Sequence, residues 1–400
     1  MSHKPNWKSR KSNREKMPRL SVCMIVRDEE AVLERCLRSV KAVADEIIMV
    51  DTGSKDRSIE IARGYGAKVY EHPWRDNFSL HRNQSLKYAA SDWILVIDAD
   101  EELLFRDGLT PRDFKNFLKD FPKDCDAIST QLLDYRHGKL VSRHNTTRFH
   151  RRGAGHYEGI VHNQWVCDGL AGFSPQMAIK HYGYEVDSTT RQAKLDRTER
   201  LLLKQLDMLG ENLHTHFYLA QSYGMKEDHE KCVEHGEKYW ARRAEDESVG
   251  KGFYGSIHYV VARHYMKLGD KTNALEWIYQ GLREHPGDPD LCMALSDYGV
   301  WIEDNEAVTQ GALGFVAAYT GKSSAALGAH HTFTINPDGY ALALYRLANI
   351  RLRQASAHFR ALTESLPDAS EELRGKIIED TKKNVEESGV GEAVGEFGKR

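Results

Sequence analysis

Trp93-Ile94-Leu95-Val96-Ile97-Asp98-Ala99-Asp100-Glu101 is the stretch on which the fold turns. Its five apolar residues are too few to cross a membrane and read as a strand buried on both faces of a sheet. The run stops in acid. Two carboxylates one residue apart, where such a strand leaves the sheet, stand at the carboxyl edge where open α/β sheets bind their ligands, and they suit a divalent cation and a phosphate. Taken alone, Asp98 to Glu102 reads as readily as a solvated turn after a core strand, so the preceding sequence decides.

Leu20-Ser-Val-Cys-Met-Ile-Val26 is a buried strand, and Glu29 to Val43 follows with Val32, Leu33, Cys36, Leu37 and Val40 at helical spacing. Glu46-Ile-Ile-Met-Val-Asp51 is a second strand, closed by the turn Thr52-Gly53-Ser54 and a helix from Lys55 to Tyr65. Ala67 to Glu71 is a third strand, and Phe78-Ser79 with Arg82-Asn83 opens an amphipathic helix running into Asp92. Alternating strands and helices imply a parallel sheet covered on both faces. Asp51, like Asp98, then stands at the nucleotide-binding edge, although a turn residue capping the next helix is the plain alternative. Arg82, near the same edge, suits a base or a diphosphate.

Cys23-Met-Ile-Val-Arg-Asp-Glu-Glu30, Asp45-Glu-Ile-Ile-Met-Val-Asp-Thr-Gly-Ser-Lys-Asp56, Trp74-Arg-Asp-Asn-Phe-Ser79 with Arg82-Asn83, and Asp92 to Glu101 occur in order and resemble glycosyltransferase family 2. The similarity continues more loosely to about residue 210. It implies an α/β GT-A fold, doubly wound and Rossmann-like, and inverting transfer of a sugar from a nucleotide diphosphate, a UDP-sugar first of all. By that resemblance Asp51 meets the donor's base, Arg82 the nucleotide, Asp98 the ribose or metal, and Asp100 the metal, Mn²⁺ or Mg²⁺. Val26 joins the nucleotide-sugar-binding residues. Asp28 stands where the family usually has Asn, with little consequence expected, because the backbone there lies near the nucleotide.

His156-Tyr-Glu-Gly-Ile-Val-His-Asn163 corresponds to the family's acceptor-side segment, often aromatic-x-Gly-x-Val-His-Glu. Its last position is Asn163 here, which leaves Glu158 or His162 as the catalytic base; Glu158 is preferred because inverting enzymes of this fold generally use a carboxylate. Ile179-Lys-His-Tyr-Gly-Tyr184 resembles a later histidine segment and adds His181 to the metal shell.

Between these motifs, Thr110-Pro111 starts a helix to Lys119, and Asp126 to Tyr135 and Leu140 to Arg151 read as paired strands around His137-Gly138. Thr189 to Leu209 is a long amphipathic helix. Beyond it Ala220 and Tyr223, Ala262 and Tyr265, and Leu295 and Tyr298 occupy equivalent places, each followed at fixed distance by Cys232, Ala274 or Ala307. That is the spacing of tetratricopeptide helices. The chain thus divides into a basic disordered arm (1–19), an α/β catalytic domain (20–187), a helical connector (188–210), an all-α helical-repeat region (211–367) ending in a helical pair from Tyr340 to Leu366, and a frayed charged tail (368–400). A catalytic domain that folds alone keeps its donor site when everything after 210 is removed.

Four hundred residues exceed one core, consistent with two domains. A formal charge of −3 gives no global argument for nucleic acid or membrane. The first nineteen residues lack the apolar core of a secretory signal, and six scattered cysteines suit reduced thiols, so a cytoplasmic protein is expected. No His/Cys spacing suggests structural zinc. The repeats favour an extended acceptor such as a peptide or protein, while the basic arm keeps nucleic acid in view and a saccharide or lipid carrier stays open. A homodimer is compatible with the sequence. A binding protein built on a decayed transferase is the competing class, kept alive by Asn163 and opposed by the intact Asp51, Arg82, Asp98 and Asp100.

Overall fold

The computed structural model describes residues 17–106, 108–182, 188–210, 212–243, 256–321, 333–334 and 337–365, with isolated positions at 371, 375, 376 and 379. Most of the basic arm and of the charged tail lies outside the described residues.

Strand β1 (Leu20–Val26) is apolar on both sides and is buried on both. Leu20, Val22 and Met24 face helix α1 (Leu33–Val40), while Cys23 turns to the other face beside Ile48 and Leu86. The next elements are β2 (Glu46–Asp51), α2 (Ser58–Gly64), β3 (Lys68–Glu71), α3 (Phe78–Tyr88) and β4 (Trp93–Val96). β3, β2, β1 and β4 lie side by side and parallel, as the alternation of strand and helix requires.

The sheet is mixed beyond that point, and the strand pair expected around His137-Gly138 supplies its antiparallel part. After Asp100 the chain enters β5 (Glu101–Phe105) with no crossover helix, and α4 (Pro111–Asp120) follows behind a capping box formed by Thr110 and Asp113. Strands β6 (Cys125–Arg136) and β7 (Lys139–Arg151) form a hairpin whose turn residues His137 and Gly138 both have positive φ. β7 lies antiparallel on β4, with Leu95 opposite Phe149. A small sheet of β8 (Gly155–Glu158) and β9 (Gln164–Cys167) stands apart. β10 (Leu170–His181) pairs with both β6 and β5, setting His181 opposite Glu101 and Asp134.

Helix α5 (Ser188–Leu209) is more than a connector. Its Leu201 and Leu202 share one core with Ile160 and Val161 of the loop after β8 and with Phe217 of the first repeat helix. Three helical pairs follow: α6 (Leu213–Met225) with α7 (His229–Arg242), α8 (Ser256–Leu268) with α9 (Lys271–Glu284), and α10 (Pro289–Ile302) with α11 (Asn305–Tyr319). The residues aligned by spacing are all buried, from Ala220, Tyr223 and Cys232 to Leu295, Tyr298 and Ala307. Each second helix opens on an aspartate, Asp228, Asp270 or Asp304, whose carboxylate accepts from a backbone N–H three residues on. Phe333–Thr334 (β11) adds a short strand to β7. The last helix, α12 (Pro337–Ser365), is single where a pair was expected.

Candidate active site

At the carboxyl edge the strand ends are tied to one another. The Val26 carbonyl accepts from Thr52 N (2.9 Å) and from its hydroxyl (3.2 Å), so this group holds β1 to the turn after β2. Asp51 Oδ1 accepts from Gly53 N (2.9 Å) and Ser54 N (3.0 Å), and Oδ2 from the Ser54 hydroxyl (2.5 Å). Gly53 has φ +109°, which an L side chain rarely adopts. Asp28, at φ 54°, accepts from Lys55 N (2.7 Å), locking the loop after β1 to the same turn. An asparagine would tolerate that conformation and offer the same oxygen, so Asp for Asn leaves this geometry intact.

The acids after β4 separate into two roles. Asp98 accepts from Arg82 Nη2 on both oxygens (2.9 and 3.1 Å), and Arg148 Nη1 of β7 stands 3.5 Å from Oδ2. Arg148 Nη2 also donates to Glu101 (2.6 Å), whose other oxygen accepts from Asp98 N (2.8 Å). Burial would raise the Asp98 carboxyl, but the two guanidinium groups outweigh it and hold it well below the usual range. Burial pushes the Glu101 carboxyl up against the pull of Arg148. Glu101 is thus a buried ion-pair partner and no part of a solvated turn.

Asp100 meets His181 instead, with Nε2 3.4 Å from Oδ2, and His181 Nδ1 lies 2.8 Å from Asp134 Oδ1. Asp134 also accepts from the Ser142 hydroxyl. Burial lowers the His181 pKa, yet carboxylates on both ring nitrogens bring it up to about 10. An imidazole backed by a carboxylate at one nitrogen and aimed at a second acid with the other is the donor arrangement of metal-binding histidines. Oxygen from Asp100 and nitrogen from His181 fit Mn²⁺ or Mg²⁺. Burial and then the Asp100 charge raise the Glu29 carboxyl to about 7. Asp98 keeps 31% of its side chain exposed, so a ligand can reach it.

Helix α3 begins at Asn77, whose side chain accepts from Leu80 N (2.8 Å), and this cap aims Arg82 at Asp98. Arg82 keeps Nε and Nη1 buried without a hydrogen-bond partner, donors that an anionic ligand satisfies. Asn83 clamps the Tyr157 backbone with two 2.8 Å bonds. Tyr157 packs inward against His150 and Trp165. Strand alternation therefore sends Glu158 the other way, where it is exposed and paired with His156 (2.9 Å). His162 lies beyond a loop fixed by Phe78 N donating to the Ile160 carbonyl (2.8 Å) and by Ile160 N donating to Gln205 Oε1 (2.6 Å). Its ring stacks on Tyr218 of α6 (4.1 Å, 7° between planes), and desolvation pushes its pKa down to about 4.

The structure therefore gathers Arg82, Asp98, Asp100 and His181 into one cluster beside Val26 and Asp51, and it separates Glu158 from His162. Reading the sequence missed Arg148, Glu101, Asp134 and Tyr218. The one available signal for Arg148 was a cation inside an otherwise strand-like run, Thr146-Thr147-Arg148-Phe149.

Residues 21–177 match the family model of glycosyl transferase family 2. A TPR repeat-containing protein of Synechococcus elongatus is 56% identical over 197 residues, covering 46% of this chain and 47% of that protein. The prophage-derived glycosyltransferase SunS of Bacillus subtilis is 26% identical over 227 residues, covering 55% and 53%. This chain spans about half the length of each of these two relatives. Among solved structures, S. aureus TarS 1-349 in complex with UDP-GlcNAc aligns with 66% of this chain and 91% of that one, at 13% identity and a TM-score of 0.36, too low for inference.

Proposed function

We propose, for a chain whose N-terminal domain belongs to glycosyl transferase family 2 and continues into paired helices, that it transfers a sugar with inversion from a nucleotide diphosphate, UDP first of all, to an acceptor held by the helical region. The observation that carries this reading is the Asp100–His181–Asp134 chain beside Asp98 and its two arginines. Asp100 and His181 would hold Mn²⁺ or Mg²⁺. Such a cation neutralises charge on the departing diphosphate. Arg82 offers its unpaired N–H groups to the nucleotide, Asp98 fixes Arg82, and Asp51 and Val26 shape the floor under the base.

For the acceptor's proton we favour His162, whose ring stacks on Tyr218 of the helical domain, over Glu158, which is exposed beside His156. General base help is typically worth about 10²–10⁴-fold. His162→Asn should lose transfer while keeping donor affinity, and Glu158→Gln should be the milder variant; the opposite ranking returns the role to Glu158. The helical pairs favour an extended acceptor such as a peptide. Among the described residues no helix is long and apolar enough to cross a membrane.

The test is hydrolysis of a panel of nucleotide sugars by the purified full chain with Mn²⁺. Slow release of a nucleoside diphosphate from at least one donor supports the transferase, and none from any donor supports a binding protein.

A further inference from the structure

Three side chains that the donor site does not use meet in the middle helical pair. His258 of α8 is buried, His285 caps the C-terminal end of α9, and Glu284 precedes it. One ligand atom from each, two imidazole nitrogens and a carboxylate oxygen, lies within 4.8 Å of the other two. The fold brings them together through backbone geometry. Helix α9 approaches α8 at Gly281, where a Cβ would stand 2.7 Å from His258 Cβ, so the absence of a side chain there lets the helices come this close. One turn on, the His285 backbone leaves the helix (φ −129°, ψ 71°) while its N–H still donates to the Gly281 carbonyl (2.8 Å). Its ring centroid then stands 6.2 Å from that of His258. The two histidines come from different helices, so no spacing along the chain announces them.

The surroundings support these three groups as ligands. The Trp240 and Trp277 rings stand 4.2 and 5.7 Å from the His258 ring and form an apolar wall that keeps water from that side. Glu284 is exposed on the other side, and its Oε1 accepts from Arg243 Nη2 (3.0 Å). Arg243 in turn lies 3.3 Å from the Trp240 ring centroid, so the carboxylate is held from behind, as ligating carboxylates are. Two imidazole nitrogens and one carboxylate oxygen suit Zn²⁺, whereas Mg²⁺ and Mn²⁺ prefer an all-oxygen shell. Ligands about 2.0–2.1 Å from a tetrahedral ion stand about 3.4 Å apart. From 4.8 Å the closure needed is at most about 1.4 Å, within the reach of rotation about the side-chain bonds of Glu284 and His285.

We infer that His258, Glu284 and His285 form a Zn²⁺ site inside the helical-repeat region, with water in the fourth position, as in other sites with three protein ligands. The ion ties the end of α9 to α8 and, through the Glu284–Arg243 pair, to the end of α7, so it fixes how the first and middle helical pairs stack. This site is independent of the transferase reading.

Calorimetric titration of Zn²⁺ into the metal-stripped full chain tests this, with Asp100→Ala as the parent so that the carboxylate at the donor site does not compete for the ion. The parent should bind a single tight equivalent. His285→Ala should weaken it by more than about tenfold, the least that losing a group behind a ligand costs, and Glu284→Gln should weaken it to a smaller extent. His285→Gln serves if the alanine variant misfolds. Zn²⁺ should also raise the melting temperature of the parent above its value in chelator. That rise should vanish in the His285 variant, whereas a merely structural effect of the substitution would leave it in place. Zn²⁺ affinity unchanged in both the His285 and the Glu284 variants overturns the inference, as does a parent that binds no Zn²⁺. Equal stabilisation by Mg²⁺, lost with the same substitutions, overturns the assignment of a nitrogen-seeking ion. None of these outcomes bears on the donor reading.

Discussion

Asp98 and Asp100 are one residue apart and face different partners, which gives their variants different consequences. Removing the Asp98 carboxylate leaves Arg82 and Arg148 without their shared anion, so Asp98→Ala should cost about 3 kcal/mol in a urea melt. Asp100→Ala should lose Mn²⁺ binding and, because its carboxylate is one of the two on His181, should melt somewhat below the wild type. Asp134→Asn, which alters only the group behind His181, should weaken Mn²⁺ by about 10–100-fold. His162 supplies a pH prediction. Its folded pKa of about 4 lies below the ordinary value of 6.5, so between these values the unfolded chain holds more protons there. That residue therefore destabilises the fold as pH falls through this window and has no such effect above it. A histidine C–H resonance that stays neutral to pH 5, and moves back toward 6.5 in Tyr218→Ala, is the expected NMR titration; a wild-type midpoint near 6.5 contradicts the stacked, desolvated ring. At this scale the Asp-x-Asp spacing was legible because neighbours in sequence share a strand end. Arg148 was not, since its partner Glu101 lies 47 residues away and only the antiparallel return of β7 brings them together.

Among the elements, the repeats and the α5 helix were legible, and the seat of α5 was not. The repeats advertise themselves because each pair needs small residues where helices cross and a cap where the second helix starts, and both recur at fixed spacing. Gly281 shows the constraint: a Cβ there would stand 2.7 Å from His258 Cβ and 2.7 Å from Leu291 Cδ1, so Gly281→Ala should cost about 1–3 kcal/mol, read from the melting of the full chain. Unchanged melting would mean that α8, α9 and α10 part without cost. For α5 the amphipathic pattern told that one face is buried, yet nothing in the pattern says against what. Its partner is the loop carrying Ile160 and His162, whose backbone N–H is satisfied by Gln205, which is itself buried and donates to Thr215 (2.8 Å). Gln205→Ala strands that N–H and should cost about 1–3 kcal/mol. The parallel half of the sheet was read correctly from alternation, whereas the mixed half depends on long-range pairing that local periodicity does not encode.

For the whole molecule the consequence is that the division at residue 210 does not separate two independent cores. Ile160 and Val161 from the α/β side pack with Leu201, Leu202, Phe217 and Tyr218 from the helical side. A fragment ending at 210 therefore exposes apolar surface next to the acceptor-side loop. It should be less stable than the full chain and lose the His162–Tyr218 stack, even where the donor site itself is spared. Circular dichroism melting of the fragment checks this, and a fragment as stable as the full chain would restore the two-core picture. The central claim, that the acids at the end of β4 hold a nucleotide diphosphate through a divalent cation, is tested most directly by thermal stabilisation of the full chain and of Asp100→Ala with a panel of nucleotide sugars, in Mn²⁺ and in chelator. A donor at a hundred times its dissociation constant adds about 2.7 kcal/mol. Stabilisation of the wild type by at least one nucleotide sugar, present only with the cation and absent in Asp100→Ala, is the result predicted; stabilisation that persists in chelator or in Asp100→Ala would contradict it.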